Sequence, residues 1–442
     1  MKNLINQIEK LNKHLIKCIR CGMCQAVCPL FLQTGHEADV ARGKIALIDG
    51  LVQNIFTDPK GTLKRINKCL LCGSCADICP RNIDIIEIFI KARIILTTYM
   101  GLSFPKKMIL RGLLSNPNNF NRLLKWGSKC QNLLTKPVNQ QTNGSCARFI
   151  GPISDKRHFK LLAKKPFHQL LTSSEASSDI NNDSEIRVAF FIGCVIDKVF
   201  PHVAQTVVDI LKHHGIGLFI PKHQGCCGIP AISSGDIVTF NRLLDHNIKK
   251  FDPLKFDYII SACATCTFTI KKIWPMITES FLPEHRAKTD EIAKKTVDIN
   301  QFIVSVFGIK DKPCDSSSND DKTIITYHDP CHLSKSLGVA EQPRRLIKAN
   351  PRFKFREMNE SSFCCGMGGN FNLQYYEISN NIAKRKLENI IASECKIVTT
   401  GCPGCMMQLS DIISKSKENI TVKHSVEIYG DMIKNQVNFQ KL

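Results

Sequence analysis

The chain has 442 residues, 43% hydrophobic and 22% charged, with a formal net charge of +21. That is an ordinary balance for a folded globular protein with two or three domains and a substantial core. The positive charge raises nucleic acid or an anionic membrane surface as partners. Its lysines and arginines are scattered, however, as in NIKKFDPLKF and NNIAKRKLENII, so a solvated basic surface is the preferred reading and nucleic acid is not the expected partner. The 22 cysteines are the anomaly. The opening stretch MKNLINQIEKLNKHLIKC alternates in a helical pattern without a secretory core, and no run of 18 apolar residues follows. A long chain of this kind is expected in the cytoplasm, with cysteines that bind metal or carry redox chemistry rather than form disulfides.

The first zone, 1–98, contains CIRCGMCQAVCP at 18–29 and CLLCGSCADICP at 69–80. Each has the spacing C-x2-C-x2-C-x3-C-P, the run of bacterial two-cluster ferredoxins, in which the fourth cysteine ligates the other cluster. Three thiolates in a short loop wrap three corners of a cubane, and the remote fourth closes it. Cys18, Cys21, Cys24 and Cys79 are therefore expected to hold one 4Fe–4S cluster, and Cys28, Cys69, Cys72 and Cys75 a second. Zinc, which favours two separated pairs, suits this doubled run poorly. The intervening GHEADVARGKIALIDGLVQ reads as helical, giving an α-helical ferredoxin with Arg42 near its clusters.

Residues 99–185 read as a helical and polar linker. The basic amphipathic stretches MILRGLL and FNRLLKWG come first, with core packing preferred over membrane contact. The polar SSEASSDINNDSE follows as a connector. Two similar halves complete the chain, 186–309 and 323–442, separated by the polar KDKPCDSSSNDDK. RVAFFIGC and FDYIISACATC read as buried strands that deliver cysteines at their ends, and HVAQTVVDILKHHG as a helix closed by Gly215. TIITYHDPC, YYEISNNIAKRKLENIIAS and CKIVTTGCPGC repeat the order. Strand–helix alternation implies a parallel sheet with sites at the carboxyl ends of its strands. The fold expected is thus α+β and multidomain, an α-helical double-cluster ferredoxin followed by two repeated α/β cysteine-rich domains.

The first half carries Cys194, Cys226, Cys227, Cys263 and Cys266, and the second Cys331, Cys364, Cys365, Cys402 and Cys405. Equivalent cysteines are offset by 137, 138, 138, 139 and 139 residues, an internal repeat with almost no drift. A tetrahedral zinc site would leave one of each five spare, whereas a larger cluster has room for all five. His328 and His332 flank Cys331, where hydrogen bonding to a cluster and plain helix-start packing are both open. Cys130, Cys146, Cys314 and Cys395 fall outside both patterns.

A lone cysteine, CCG about thirty residues on, and CxxC about thirty-five further resembles the cysteine-rich domain of heterodisulfide reductase. Iron–sulfur subunits of glycolate oxidase, lactate utilisation enzymes and anaerobic glycerol-3-phosphate dehydrogenase share it. With the double ferredoxin run, nearly the whole chain resembles the glycolate oxidase iron–sulfur subunit and its D-lactate relatives, supported by ARGKIALIDG, TYHDPCHL and CCGMGGNFNLQYYEIS. The resemblance implies a noncubane 4Fe–4S cluster in each five-cysteine set. One departure is that ACATC and GCPGC are both intact here, where glycolate oxidase subunits often carry a degenerate closing pair.

The sequence holds no GxGxxG after a strand and no GxxxxGK[ST], and shows no serine–histidine or paired-carboxylate arrangement. Oxidation of a 2-hydroxy acid needs a hydride acceptor, normally flavin, so the substrate chemistry is expected on a partner. The reading is an oxidoreductase iron–sulfur subunit that relays electrons from an FAD-containing glycolate or D-lactate dehydrogenase subunit to an acceptor such as a membrane quinone. Its place would be the cytoplasm or the inner face of the cytoplasmic membrane. Two rivals stand beside it: disulfide cleavage at noncubane clusters, and zinc-bound scaffolding that docks a flavoprotein.

Overall fold

The computed structural model describes residues 8–9, 11–139, 144–147, 157–171, 185–310 and 322–439; Cys314 lies outside them. Two compact bodies emerge. The first gathers the chain as far as Asn116 with Gly228–Leu243 and Cys364–Lys384, and the second gathers Pro117–Cys227, Leu244–Phe363 and the chain from Arg385 onward.

In the first body the helices α1 (Met23–Ala26), α2 (Ala41–Val52), α3 (Pro59–Asn67), α4 (Ser74–Asp77) and α5 (Ile85–Met100) surround the two cysteine runs. Local chemistry starts them. Asp58 accepts the Lys60 amide with Pro59 at the first helical position, and Asp84 accepts the Glu87 amide. Helix α5 is buried on almost every side, from Ile85 and Ile88 to Ile94 and Leu96, as befits the central element of a small body. Helices α1 and α4 each begin at a left-handed glycine, Gly22 at φ 89° and Gly73 at φ 76°, two residues after Arg20 and Leu71, both at φ 55°. The two loops therefore repeat one backbone path, as their sequences do.

The second body contains two four-stranded parallel sheets. Strands β1 (Arg187–Phe190), β2 (Gly217–Phe219), β3 (Tyr258–Ser261) and β4 (Thr296–Asp298) form the first, in the order β2-β1-β3-β4. Helices α6 (Cys194–Val199), α7 (Pro201–His213) and α8 (Ala264–Phe268) lie along this half. The second sheet is built from β5 (Thr323–His328), β6 (Phe353–Phe355), β7 (Ile397–Thr400) and β8 (Thr421–His424), in the order β8-β7-β5-β6. Helices α9 (Cys331–Leu337), α10 (Glu341–Ala349), α11 (Pro403–Lys415) and α12 (Ser425–Phe439) complete it. Both sheets share one topology. Even the register repeats, since Val188 faces Tyr258 and its counterpart Ile325 faces Ile397. Ile325, Tyr327, Ile347 and Ile428 form a core cluster in the second half.

One expectation holds only in part. The amphipathic stretch after α5 buries Leu110 and Leu114, but Phe104, Met108 and Ile109 are exposed in the first body, and Leu123 and Trp126 in the second. Among the described residues no helix is long and apolar enough to cross a membrane.

Candidate iron–sulfur sites

Cysteines of both ferredoxin-type runs line each of two pockets in the first body. Cys18, Cys21, Cys24 and Cys79 line one pocket with about 390 Å³ of empty space, which Cys75 also reaches. Cys28, Cys69, Cys72 and Cys75 line another with about 440 Å³. The fourth cysteine of each run thus joins the first three of the other. Burial, reinforced by Cys72 and Cys69, pushes the Cys28 thiol up to about 12, and burial raises Cys24 and Cys75 as well. Thiols so placed ionise only beside a cation, which a bound metal supplies. Soft sulfur donors in fours, one set per pocket, fit 4Fe–4S clusters.

Cations stand beside both pockets. Arg42 lines the first, pairs with Glu37 at 2.5 Å, and donates from Nη1 to the Arg20 carbonyl at 3.3 Å. Lys44 lines the second, fully buried, its ammonium donating to the Asp39 carbonyl and its pKa pulled down by burial. Asp39 itself is paired with Arg65 and Lys68, each at 3.0 Å. Arg93 on α5 is buried too, and its Nη2 donates to the carbonyls of Ile66 at 2.7 Å and Cys69 at 2.8 Å. Sequence reading found Arg42 and missed the other two. Lys44 had a usable signal, because it shares the 41, 44, 45, 48 spacing of α2's buried face.

In the second body the first five-cysteine set converges. Cys194 opens α6 just beyond β1, and its Sγ lies 3.7 Å from that of Cys226. The paired cysteines are held by their backbone: Asn247 donates to the Cys226 carbonyl at 2.9 Å, and the Trp274 indole to the Cys227 carbonyl at 2.9 Å. Cys263 precedes α8, and its Sγ accepts the Cys266 amide at 3.4 Å. Neighbouring thiols first, and burial second, push Cys226 and Cys266 far above the usual cysteine range. This crowded set of soft donors fits a metal cluster by the same reasoning.

The glycine after each cysteine pair has a steric reason. Gly228 sits at φ 95° with the Phe240 ring 2.7 Å from where a Cβ would stand, and Gly366 at φ 91° with the Ser379 carbonyl at 2.5 Å. Left-handed backbone in such close quarters admits glycine alone. Of the second set, Cys364 and Cys365 belong to the first body, where the Gly366 amide donates to Cys364 Sγ at 3.4 Å. Cys331, Cys402 and Cys405 belong to the second, at the starts of α9 and α11 beyond the paired strands β5 and β7. Hydrogen bonds from Cys263 and Cys405 hold the Cys402 thiol well below its usual range. His332 stacks on Phe268 and its Nδ1 lies 3.2 Å from Thr265 Oγ1. Cys146 and Cys395 are buried and Cys130 half-buried on a helix face.

Comparison with known proteins follows the same outline. The 4Fe-4S dicluster domain matches residues 14–83, and the cysteine-rich domain named CCG matches 188–271 and again 325–410. Lactate utilization protein A of Oceanobacillus iheyensis is 30% identical over 55% of this chain and 96% of its own length. This chain belongs to the CCG iron–sulfur protein family. The "Probable glycolate oxidase iron-sulfur subunit" of Bacillus subtilis is 25% identical over 92% of both chains. One subunit of the fumarate reductase (CoM/CoB) of Methanothermobacter marburgensis is 24% identical, covering 91% of this chain and 69% of its own. As a member of the CCG family, the chain is an iron–sulfur protein of the oxidoreductase kind, with two 4Fe–4S clusters in its dicluster domain and further clusters in its cysteine-rich domains.

Proposed function

We propose that this chain is the electron-relay subunit of a complex in which a partner flavoprotein, carrying FAD, oxidises glycolate or D-lactate. The observation that carries this reading is the shared wall of the first body's two pockets, where Cys75 belongs to one cysteine set and lines the pocket of the other. Iron–sulfur clusters, when bound, take up and release electrons singly. This chain's residues hold them close, shield them and set the charge around them. We assign Cys18, Cys21, Cys24 and Cys79 to one cluster and Cys28, Cys69, Cys72 and Cys75 to the other. On the strength of the repeat, Cys194, Cys226, Cys227, Cys263 and Cys266 hold a noncubane cluster, and Cys331, Cys364, Cys365, Cys402 and Cys405 its counterpart.

The exposed Phe104, Met108 and Ile109 beside Lys106 and Lys107 support peripheral contact with an anionic membrane, where a quinone would accept the electrons. The test is anaerobic purification from the native cell, identification of any copurifying flavoprotein, and dye reduction with glycolate, D-lactate, L-lactate and glycerol 3-phosphate. Bleaching of the clusters by one 2-hydroxy acid is expected. Absence of a flavoprotein, or silence toward all four substrates, would overturn the relay. Two intact CxxC pairs favour one alternative, disulfide cleavage, which thiol release from a heterodisulfide by the isolated chain would reveal.

A further inference from the structure

The two halves repeat each other closely enough that a difference between matched positions carries information. His328 closes β5 three residues before Cys331. At the repeat offset of 137 residues its counterpart, three residues before Cys194, is Phe191. Phe191 is an ordinary core ring, buried against Phe251 at 5.5 Å and edge-on to Trp274 at 6.5 Å. His328 is just as buried, with no exposed surface, yet neither ring nitrogen has a hydrogen-bond partner. A buried imidazole without partners is costly, and a phenyl ring serves the same position in the other half at no such cost.

What lies near His328 supplies the missing partner. Its ligand nitrogen comes within 4.8 Å of Cys405 Sγ. The strand register makes this a consequence of the fold, for His328 faces Thr400 across β5 and β7, and Cys402 follows two residues later. Nitrogen and sulfur donors bound to one iron at ordinary bond lengths fall within such a separation.

We propose that His328 is an iron ligand together with Cys405 in the second body, making a mixed nitrogen–sulfur centre there while its counterpart in the first half is held by sulfur alone. The proposal rests on the reading that iron occupies the second set. The neutral imidazole donates the lone pair of its unprotonated nitrogen and releases no proton, while the other nitrogen keeps its hydrogen. A neutral ligand adds no negative charge at iron, whereas a thiolate at the same position would add one and lower the reduction potential.

The decisive measurement needs no variant. Full-length protein, reduced under argon and labelled with 15N-histidine, is compared with unlabelled protein by pulsed EPR. Strong nitrogen coupling on one non-ferredoxin signal, changed by the label, is expected. His328→Phe, which copies the first half, should abolish that coupling and leave the ferredoxin signals unaltered. His328→Cys should retain the signal and move its midpoint to lower potential. A second-half iron signal without histidine coupling would overturn the ligation and leave the relay standing. Complete absence of iron from the second half would overturn the ligation and the cluster assignment there together, while the ferredoxin signals still reported on the relay.

Discussion

Arg93 and Lys44 bring two buried cations to the Cys28, Cys69, Cys72 and Cys75 set, whereas the cation beside the other set, Arg42, keeps about a third of its side chain in solvent. Positive charge in a poorly screened interior favours the more reduced, more negative state of a nearby group. The set beside Lys44 is therefore expected to hold the higher-potential cluster of the ferredoxin pair. Lys44→Met should lower one midpoint in an EPR-monitored redox titration and leave the other in place; equal shifts in both would refute local control. Arg93→Met should also destabilise the fold by about 3 kcal/mol, because the carbonyls of Ile66 and Cys69 lose a charged donor inside the body. Arg93→Lys separates the two effects, since it keeps the charge and loses the fork. Recovery of potential without recovery of stability is the expected pattern. A third residue carries a steric prediction. Gly366→Ala, forced against the Ser379 carbonyl at positive φ, should cost about 3 kcal/mol or more in chemical denaturation.

At the scale of elements, the cysteines were legible because metal ligation fixes residue type and spacing at once. Eighteen of them were assigned by arithmetic, and the repeated strand register shows that the same arithmetic describes the backbone. The exposed Phe104 and Trp126 were misread because helical periodicity reports that a face is apolar and not what covers it. Also hidden were the contacts that join the two halves of the second body, which pair residues far apart in the chain. His424, at the end of β8, donates from Nε2 to the Ala262 carbonyl beyond β3 at 2.9 Å and accepts the Val426 amide on Nδ1. Ser425 donates to Asn300 at 2.7 Å, and the Ala264 amide to the Gly401 carbonyl at 3.1 Å. Burial drives the His424 pKa down to about 4, from about 6.5 for an exposed imidazole. The unfolded chain thus binds a proton that the folded chain refuses. This contribution to stability is complete above about pH 6.5 and is lost as pH falls toward 4, at most on the order of 3 kcal/mol. His424→Gln should flatten the decline in thermal midpoint between pH 7 and pH 5. An unchanged slope would show that another group carries the acid sensitivity.

At the scale of the whole molecule, the charge of +21 bears on association rather than on folding. Thiolates committed to iron reduce the total without reversing its sign. A chain this basic, with its cations spread over the surface, attracts an acidic partner from a distance and holds it by few specific pairs. Such attraction acts on the rate of encounter, and salt screens it over about 10 Å at 0.1 M. Electron delivery from the proposed flavoprotein partner should therefore slow about tenfold or more at limiting partner as sodium chloride rises from about 50 to about 500 mM. At saturating partner the rate should hold, because the docked distance between donor and acceptor is unaffected. The apolar alternative makes the opposite prediction. If docking used Phe104, Met108 and Ile109 in place of charge, high salt would leave the limiting rate unchanged or raise it, and Phe104→Ser would lower it at every ionic strength. A rate indifferent to both salt and Phe104 would mean that the encounter surface lies elsewhere on the chain.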